Sequence, residues 1–223
     1  MREQSETGAF LKYSFDGFLQ EGYLLANPPE LQRLSISAYR LLAQGNPVSP
    51  DALAEAASLK LDETRELISL IPESAFAQRP DGTFTAFIGL SIEKTAHRFI
   101  VGEHTLYVWC VFDALFLPAL LKRCATLKTR CPATQEDIFI EIDSGRAAPV
   151  SPTHPVMSII APDNAACCRD LRGAFCDHVN FFADEDAFNR ANVDGACVSL
   201  DEAFAIAMRR NAARFPDIDR GDI

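Results

Sequence analysis

The chain has 223 residues, 48% of them hydrophobic, and a formal net charge of -10 at pH 7. That much apolar material excludes general disorder and suffices for one larger domain or a compact domain with a small companion. The surplus of carboxylates argues against nucleic acid or an anionic membrane surface as the main partner, since both are held by clustered Lys and Arg.

Residues 1–27 read as an N-terminal extension with an aromatic, partly helical segment (Phe10, Tyr13, Phe15, Phe18). It lacks a basic region running into an apolar one, so no signal peptide is expected and the protein is expected to be cytoplasmic. Residues 29–44 predict a helix with Leu31, Leu34, Ile36, Leu41 and Leu42 as its apolar positions and Gly45 at its C-cap. Asn46-Pro47 predicts a turn, and Ser49 caps a second short helix opening on Pro50. Asp62 is read as the cap of a third helix, residues 63–71, ending before Pro72. Arg79-Pro80-Asp81-Gly82-Thr83 predicts a hairpin turn, with an outgoing strand over residues 84–90.

Three short helices and a hairpin give a winged-helix-like N-terminal domain, residues 1–82 with the extension. DNA binding is the obvious use for such a module, but its charge is wrong. Glu30, Asp51, Glu55, Asp62, Glu63 and Glu66 outnumber Arg33, Arg40, Lys60 and Arg65, and Glu63 and Glu66 lie where a recognition helix wants Arg, Lys or Asn. A structural lid or scaffold is the better expectation.

Residues 83–223 predict an α+β domain with a mixed sheet and flanking helices. A strand over residues 95–101 ends at Gly102. The apolar stretch 105–121 carries Asp113 and Pro118, is too short for a confident membrane span, and reads as a buried helix from about Thr105. Strands follow over 124–128 and 138–142, then a Pro-rich connection over 146–155. A strand over 156–160 leads to a helix from Asp163 to near Gly173, and a strand over 179–182 comes next. Ser199, with Glu202 in the capping-box position, starts a final helix that runs to about Phe215.

Seven cysteines punctuate this part: Cys110, Cys124, Cys131, Cys167, Cys168, Cys176 and Cys197. In a reducing compartment they stay thiols. Cys110 and Asp113 lie at i and i+3, which puts them on one face of a helix. Their neighbours are almost wholly apolar. A carboxyl there needs a partner or holds a proton, so Asp113 either does chemistry, caps a backbone turn or pairs with an Arg. Cys176 falls between a helix ended by Gly173 and a strand after His178, where a thiol can point into a cleft or be buried and inert. Cys167-Cys168 could hold a soft metal, but adjacent helix residues diverge and packing is favoured. Cys131, before Pro132, reads as structural. The sequence holds no CxxC pair, no HExxH, no Cys/His quartet, no G-x-S-x-G and no Gly-rich phosphate loop, and His97, His104, His154 and His178 are scattered. No resident cofactor is expected.

The segment Leu106-Tyr107-Val108-Trp109-Cys110-Val111-Phe112-Asp113-Ala114-Leu115-Phe116-Leu117-Pro118-Ala119-Leu120 resembles the central motif of organomercurial (alkylmercury) lyases. Phe175-Cys176-Asp177-His178-Val179-Asn180-Phe181-Phe182-Ala183 is similar to that family's second cysteine motif. Cys131-Pro132-Ala133-Thr134 resembles a third, and Gly45-Asn46-Pro47-Val48-Ser49 resembles the turn between its first helices. The resemblance covers roughly residues 30 to 210. It implies that Cys110 and Cys176 are the catalytic, mercury-binding cysteines, that Asp113 is the catalytic aspartate and lies within reach of the metal, and that Cys131 is structural. Two departures bear on the pocket: Asp177 stands where some members have a second cysteine, and Phe188 and Arg190 occupy a stretch where a tryptophan is expected.

The implied activity is protonolysis of a carbon–mercury bond to a hydrocarbon and Hg(II), for mercury detoxification. Hg(II) is soft and takes thiolates. A free thiol, pKa about 8.5, is mostly protonated at neutral pH, and Asp113 can take its proton and hand it to carbon. Hg(II) then leaves to small cytosolic thiols or to mercuric reductase. Two alternatives remain: a thiol-based, metal-responsive winged-helix regulator, and a relative that binds mercury without turnover.

Overall fold

Proline and serine set the starts of the front helices. The computed structural model describes residues 28–161 and 163–217, so the aromatic extension expected over residues 1–27 lies outside the described residues. Pro29 opens α1 (Pro29–Leu42) and Pro50 opens α2 (Pro50–Ala56), both at a position where the missing N–H costs nothing. The Ser49 hydroxyl accepts from the Ala52 amide at 3.1 Å, as expected of the cap. Helix α3 (Leu61–Ser69) starts earlier than expected. Its N-cap is Lys60, whose amide donates to the Glu63 carboxylate at 3.0 Å. Asp62 therefore sits in the first turn, where its charge suits the helix dipole, and does not cap the helix.

The hairpin follows as β1 (Phe76–Gln78) and β2 (Phe84–Phe87), with Gly82 at φ +83° and the Asp81 carboxylate accepting from the Thr83 amide and hydroxyl. The outgoing run 84–90 is not one strand. It breaks at Ile88 and Gly89, with φ of +35° and +95°, and resumes as β3 (Leu90–Ser91). The Ile88 amide donates to the Ala75 carbonyl at 2.7 Å, which fixes the break.

A second correction concerns residues 104–108. They were expected to begin a helix, but form β5 (His104–Val108), which pairs with β4 (His97–Val101) in the register Phe99↔Leu106. Thr105, Tyr107 and Val108 suit a strand, and an unbroken apolar run has no period to tell strand from helix. Helix α4 (Val111–Leu121) starts only after it.

Strands β6 (Ala125–Arg130), β7 (Asp137–Ile142) and β8 (Ala147–Ser151) complete an eight-stranded sheet in the order β1-β2-β3-β5-β4-β6-β7-β8. Strand β8 occupies the stretch expected to be a Pro-rich connection. A small sheet runs β10 (Phe181–Phe182), β9 (Val156–Ile159), β11 (Ala196–Ser199). The fold is α+β, but every strand pair among the described residues is antiparallel, not mixed. The large sheet grows mostly by hairpins and short turns, while α4 carries the chain from β5 past β4 to β6.

The helix expected from Asp163 to Gly173 is two: α5 (Asn164–Arg169) and α6 (Leu171–Ala174), the second capped by Asp170, which accepts from the Gly173 amide at 2.9 Å. A 3-10 turn, Cys176–His178, follows. Helix α7 (Glu185–Ala191), which the sequence did not suggest, holds Phe188 edge-on to Phe182 at 5.4 Å in the stretch where a tryptophan was expected. Ser199 and Glu202 form the anticipated capping box of α8 (Leu200–Arg214).

Helix α4 lies in the centre. All its residues except Ala119 are buried, and it packs between α8, α1 and the large sheet. An all-round apolar helix belongs in such a place. Among the described residues no helix is long and apolar enough to cross a membrane. Replacing the α8 cap, Ser199→Ala, is expected to lower stability by about 1 kcal/mol, read as a lower urea midpoint at unchanged slope.

Candidate active site

The site begins where β5 hands over to α4. The Trp109 amide donates to the Gly89 carbonyl at 2.9 Å, which ties the end of β5 to the break between β2 and β3. Cys110 then takes the N-cap of α4 in extended conformation, φ −140° and ψ 170°, and Asp113 is the third residue of the helix. The Cys110 amide donates to Asp113 Oδ2 at 2.9 Å, and the Asp113 amide points back to the Cys110 carbonyl at 3.2 Å. The i, i+3 spacing thus makes a capping box and not two positions on a helix face. The expected face relation is corrected by the strand ahead of it, which delays the helix to Val111.

Cys176 comes from the other side. It opens the 3-10 turn after α6, and the preceding Phe175 meets the Phe112 ring edge-on at 6.2 Å, so the turn is pressed against the first turn of α4. The ligand atoms of Cys110, Asp113 and Cys176 all lie within 4.8 Å of one another, and all three residues are buried. Among the described residues this is the one cluster of three such groups able to hold a metal ion. Both thiols are free, as are the other five cysteines.

Burial decides the protonation states. It pushes the Cys110 thiol well above its usual range, and its hydrogen bond to Cys176 and the nearby Asp113 act the same way. The hydrogen bond from Cys110 favours the thiolate of Cys176, yet burial and the carboxylates of Asp113 and Asp177 leave Cys176 above the ordinary value. Burial lifts Asp113 to about 6, against the amide and thiol of Cys110 and the charge of Arg210. Two protonated thiols therefore face a carboxyl balanced near neutrality, a set that can exchange a proton and close on a soft cation.

Several contributors escape a reading of the sequence. Gly89, at φ +95°, backs onto Asp113 so closely that a Cβ there would collide with the carboxyl carbon and Oδ1. A glycine inside a strand pattern is the signal that could have found it. The Tyr39 hydroxyl donates to the Ile88 carbonyl at 3.1 Å, bracing that turn from α1. Arg172 lies 6.0 Å from the centre of the Trp109 ring. Both residues reach the site only through the fold.

The other candidates lie apart from the cluster. Cys131 sits in the turn between β6 and β7, where its Sγ accepts from the Thr134 amide at 3.4 Å. Burial raises its pKa, but hydrogen bonds from Thr134, Ala183 and Ala133 outweigh this and lower it. Cys167 is buried and Cys168 exposed on α5, whose end is pinned by the Ser74 hydroxyl donating to both carbonyls. His97 Nδ1 lies 2.7 Å from Thr129 Oγ1, and burial holds this ring neutral, down to about 4.

Known proteins resemble this chain. A family model described as alkylmercury lyase matches residues 90–210. An alkylmercury lyase of Streptomyces lividans is 36% identical over 148 residues, 66% of either chain. One of Pseudomonas putida is 31% identical over 163 residues, 73% of this chain and 74% of that one. One of Staphylococcus epidermidis is 28% identical over 221 residues, 97% and 95% of the two chains. The crystal structure of the mercury-bound form of MerB2 has the same fold, with a TM-score of 0.67 at 17% identity over 89% of this chain and 95% of that one.

The site makes two predictions about stability. Asp113 has a folded pKa of about 6 against 3.8 for the free group, so its ionisation works against the fold. The stabilising share is full below about pH 4 and is lost as pH rises through 6, a loss of roughly 3 kcal/mol. Asp113→Asn cannot ionise, and is expected to gain about that much on wild type between pH 4 and pH 8 in paired urea titrations. Gly89→Ala is expected to cost about 2 kcal/mol or more through backbone strain and the clash with Asp113, and to speed hydrogen exchange at the Cys110 amide.

Proposed function

The chain belongs to the alkylmercury lyase family, and on that footing we propose that Cys110 and Cys176 grip the mercury of an organomercury substrate while Asp113 carries a proton to its carbon. Like its family, the protein is an organomercurial lyase of mercury detoxification, giving a hydrocarbon and Hg(II). The observation that supports these three residues above others is the buried cluster itself, with two thiols and a carboxyl within 4.8 Å.

The order of events follows from the protonation states. Cys176 is the easier thiolate, because the Cys110 thiol hydrogen-bonds to its sulfur. It displaces the ligand X of R–Hg–X, and its proton leaves with X. Cys110 joins next and its proton passes to the Asp113 carboxylate. Two thiolates now donate to mercury and the carbon–mercury bond is left electron-rich. Asp113 returns the proton to carbon as that bond breaks, and the hydrocarbon leaves. Hg(II) stays on Cys110 and Cys176, with Asp113 ionised again. Release needs further thiols. They can replace the two ligands one at a time, so small cellular thiols and the cysteines of a mercuric reductase suit the hand-off. Free thiols throughout the chain fit a reducing cytoplasm. We take no cofactor to be required.

In this reading the winged-helix-like front, residues 1–82, serves as scaffold for the catalytic part, residues 83–223. Tyr39 of α1 reaches the Ile88 carbonyl beside the site. The regulator reading is not favoured: Asp62, Glu63 and Glu66 of α3 are exposed, and a DNA backbone repels them.

The test is gas-phase detection of methane or benzene from methylmercury or phenylmercury with excess thiol. Wild type is expected to release hydrocarbon. Asp113→Ala is expected to retain organomercury and release none, and Cys110→Ala and Cys176→Ala to lose turnover at least a thousandfold (roughly 4 kcal/mol of barrier). Full activity in Cys176→Ser would sink the two-thiol scheme.

A further inference from the structure

Arg210, on α8, is only 2% exposed and makes no ion pair with a carboxylate among the described residues. Its guanidinium lies 3.6 Å over the centre of the Phe116 ring and 5.7 Å from that of Phe215, donates to Asn211 Oδ1 at 2.9 Å, and acts electrostatically on the Tyr39 hydroxyl. Asn211 in turn donates to the Phe116 carbonyl at 2.9 Å, which ties the guanidinium to α4. Tyr39, also fully buried, donates to the Ile88 carbonyl, and the next residue, Gly89, packs on the Asp113 carboxyl. A buried cation without a counter-ion is costly, so its place on Phe116, one turn along α4 from Asp113, calls for a reason.

The reason lies in the charge count of the reaction. Before substrate, the ionised carboxylate of Asp113 gives the pocket one negative charge. When R–Hg⁺ is held by two thiolates and the carboxyl is protonated, the charge is again −1, now on the mercury complex. After the hydrocarbon leaves, Hg(II) with two thiolates is neutral and the carboxylate is −1 once more. A single negative charge thus moves back and forth over a few ångströms and never leaves. A fixed positive charge nearby balances it at every stage without reorganising.

We propose that Arg210 is a positioning residue of the reaction. Held by Asn211 and the Phe116 ring, one turn along α4 from Asp113, it balances the one negative charge that shuttles between Asp113 and the mercury dithiolate. The electrostatic pull of Arg210 on Asp113 agrees with this. The other charged or titratable groups that act on the cluster are Cys167, Arg172, Asp177 and Tyr39, with Arg214 acting on Tyr39.

The proposal rests on the reading of Asp113 as proton carrier, and the test separates the two. Single-turnover hydrocarbon release and retention of phenylmercury on gel filtration are measured for wild type, Arg210→Met, Arg210→Lys and Tyr39→Phe. Arg210→Met fills the space without the charge. It is expected to retain phenylmercury as wild type does, while release slows at least tenfold. Arg210→Lys is expected to recover most of the rate, and Tyr39→Phe to slow it severalfold. An Arg210→Met rate within twofold of wild type overturns the proposal, as does a Lys variant no faster than the Met one. Where Arg210→Met does not fold, the other two decide, and a wild-type rate in Tyr39→Phe overturns the link. Absence of hydrocarbon from wild type itself is a failure of the lyase reading and not of the part given to Arg210.

Discussion

Everything at the centre of this protein hangs on one hydrogen bond, from the Cys110 amide to the Asp113 carboxyl. A helix start leaves its first amides without partners, and a side chain at the third position commonly supplies one. Here that ordinary need fixes a carboxyl beside a thiol, inside an apolar helix that could not otherwise hold a carboxylate. The helix then needs shielding on every side, which the large sheet, α1 and α8 provide. The second thiol arrives on a turn held by the contact of Phe175 with Phe112.

Burial has opposite uses in the same space. It keeps the thiols protonated until a soft cation replaces their protons, and lifts the carboxyl until it can both take and give one. In water the same carboxyl, with its ordinary low pKa, would hardly ever hold a proton to give at neutral pH. The cost falls on stability, since an ionised Asp113 works against the fold. Arg210, stacked on Phe116, is placed to offset part of it.

How much of this can be read from the residues depends on how local the cause is. Ser49, Ser199 and Glu202 announce their helices because a cap acts within three residues. The Cys110–Asp113 pair is equally visible, and so is Cys176 once the motif is matched. Its geometry is not, because residues 104–108 are strand and an unbroken apolar run cannot say so. Asp113 as a cap and Asp113 as a chemical group had seemed to be rival readings, yet the structure allows both at once. Gly89, Tyr39 and Arg210 stayed hidden for a different reason. Tyr39 and Ile88 meet across 49 residues of chain, and only the packed fold brings α1 and α8 to the back of the carboxyl. Helix α7 and strand β11 were missed because both are short and lack strong periodicity.

A cysteine at a helix cap with an aspartate three residues on is a pattern that can be moved. It asks nothing of the sheet beyond a buried end, a glycine to make room for the carboxyl and a neighbouring turn to bring the second sulfur. A designer could write it into the first turn of a helix in an unrelated bundle. The backbone would then hold the acid in register without a dedicated network of side chains. Enzymes are often hard to transplant because their reactive groups are gathered from distant loops; here two of the three are gathered by the rules that start a helix.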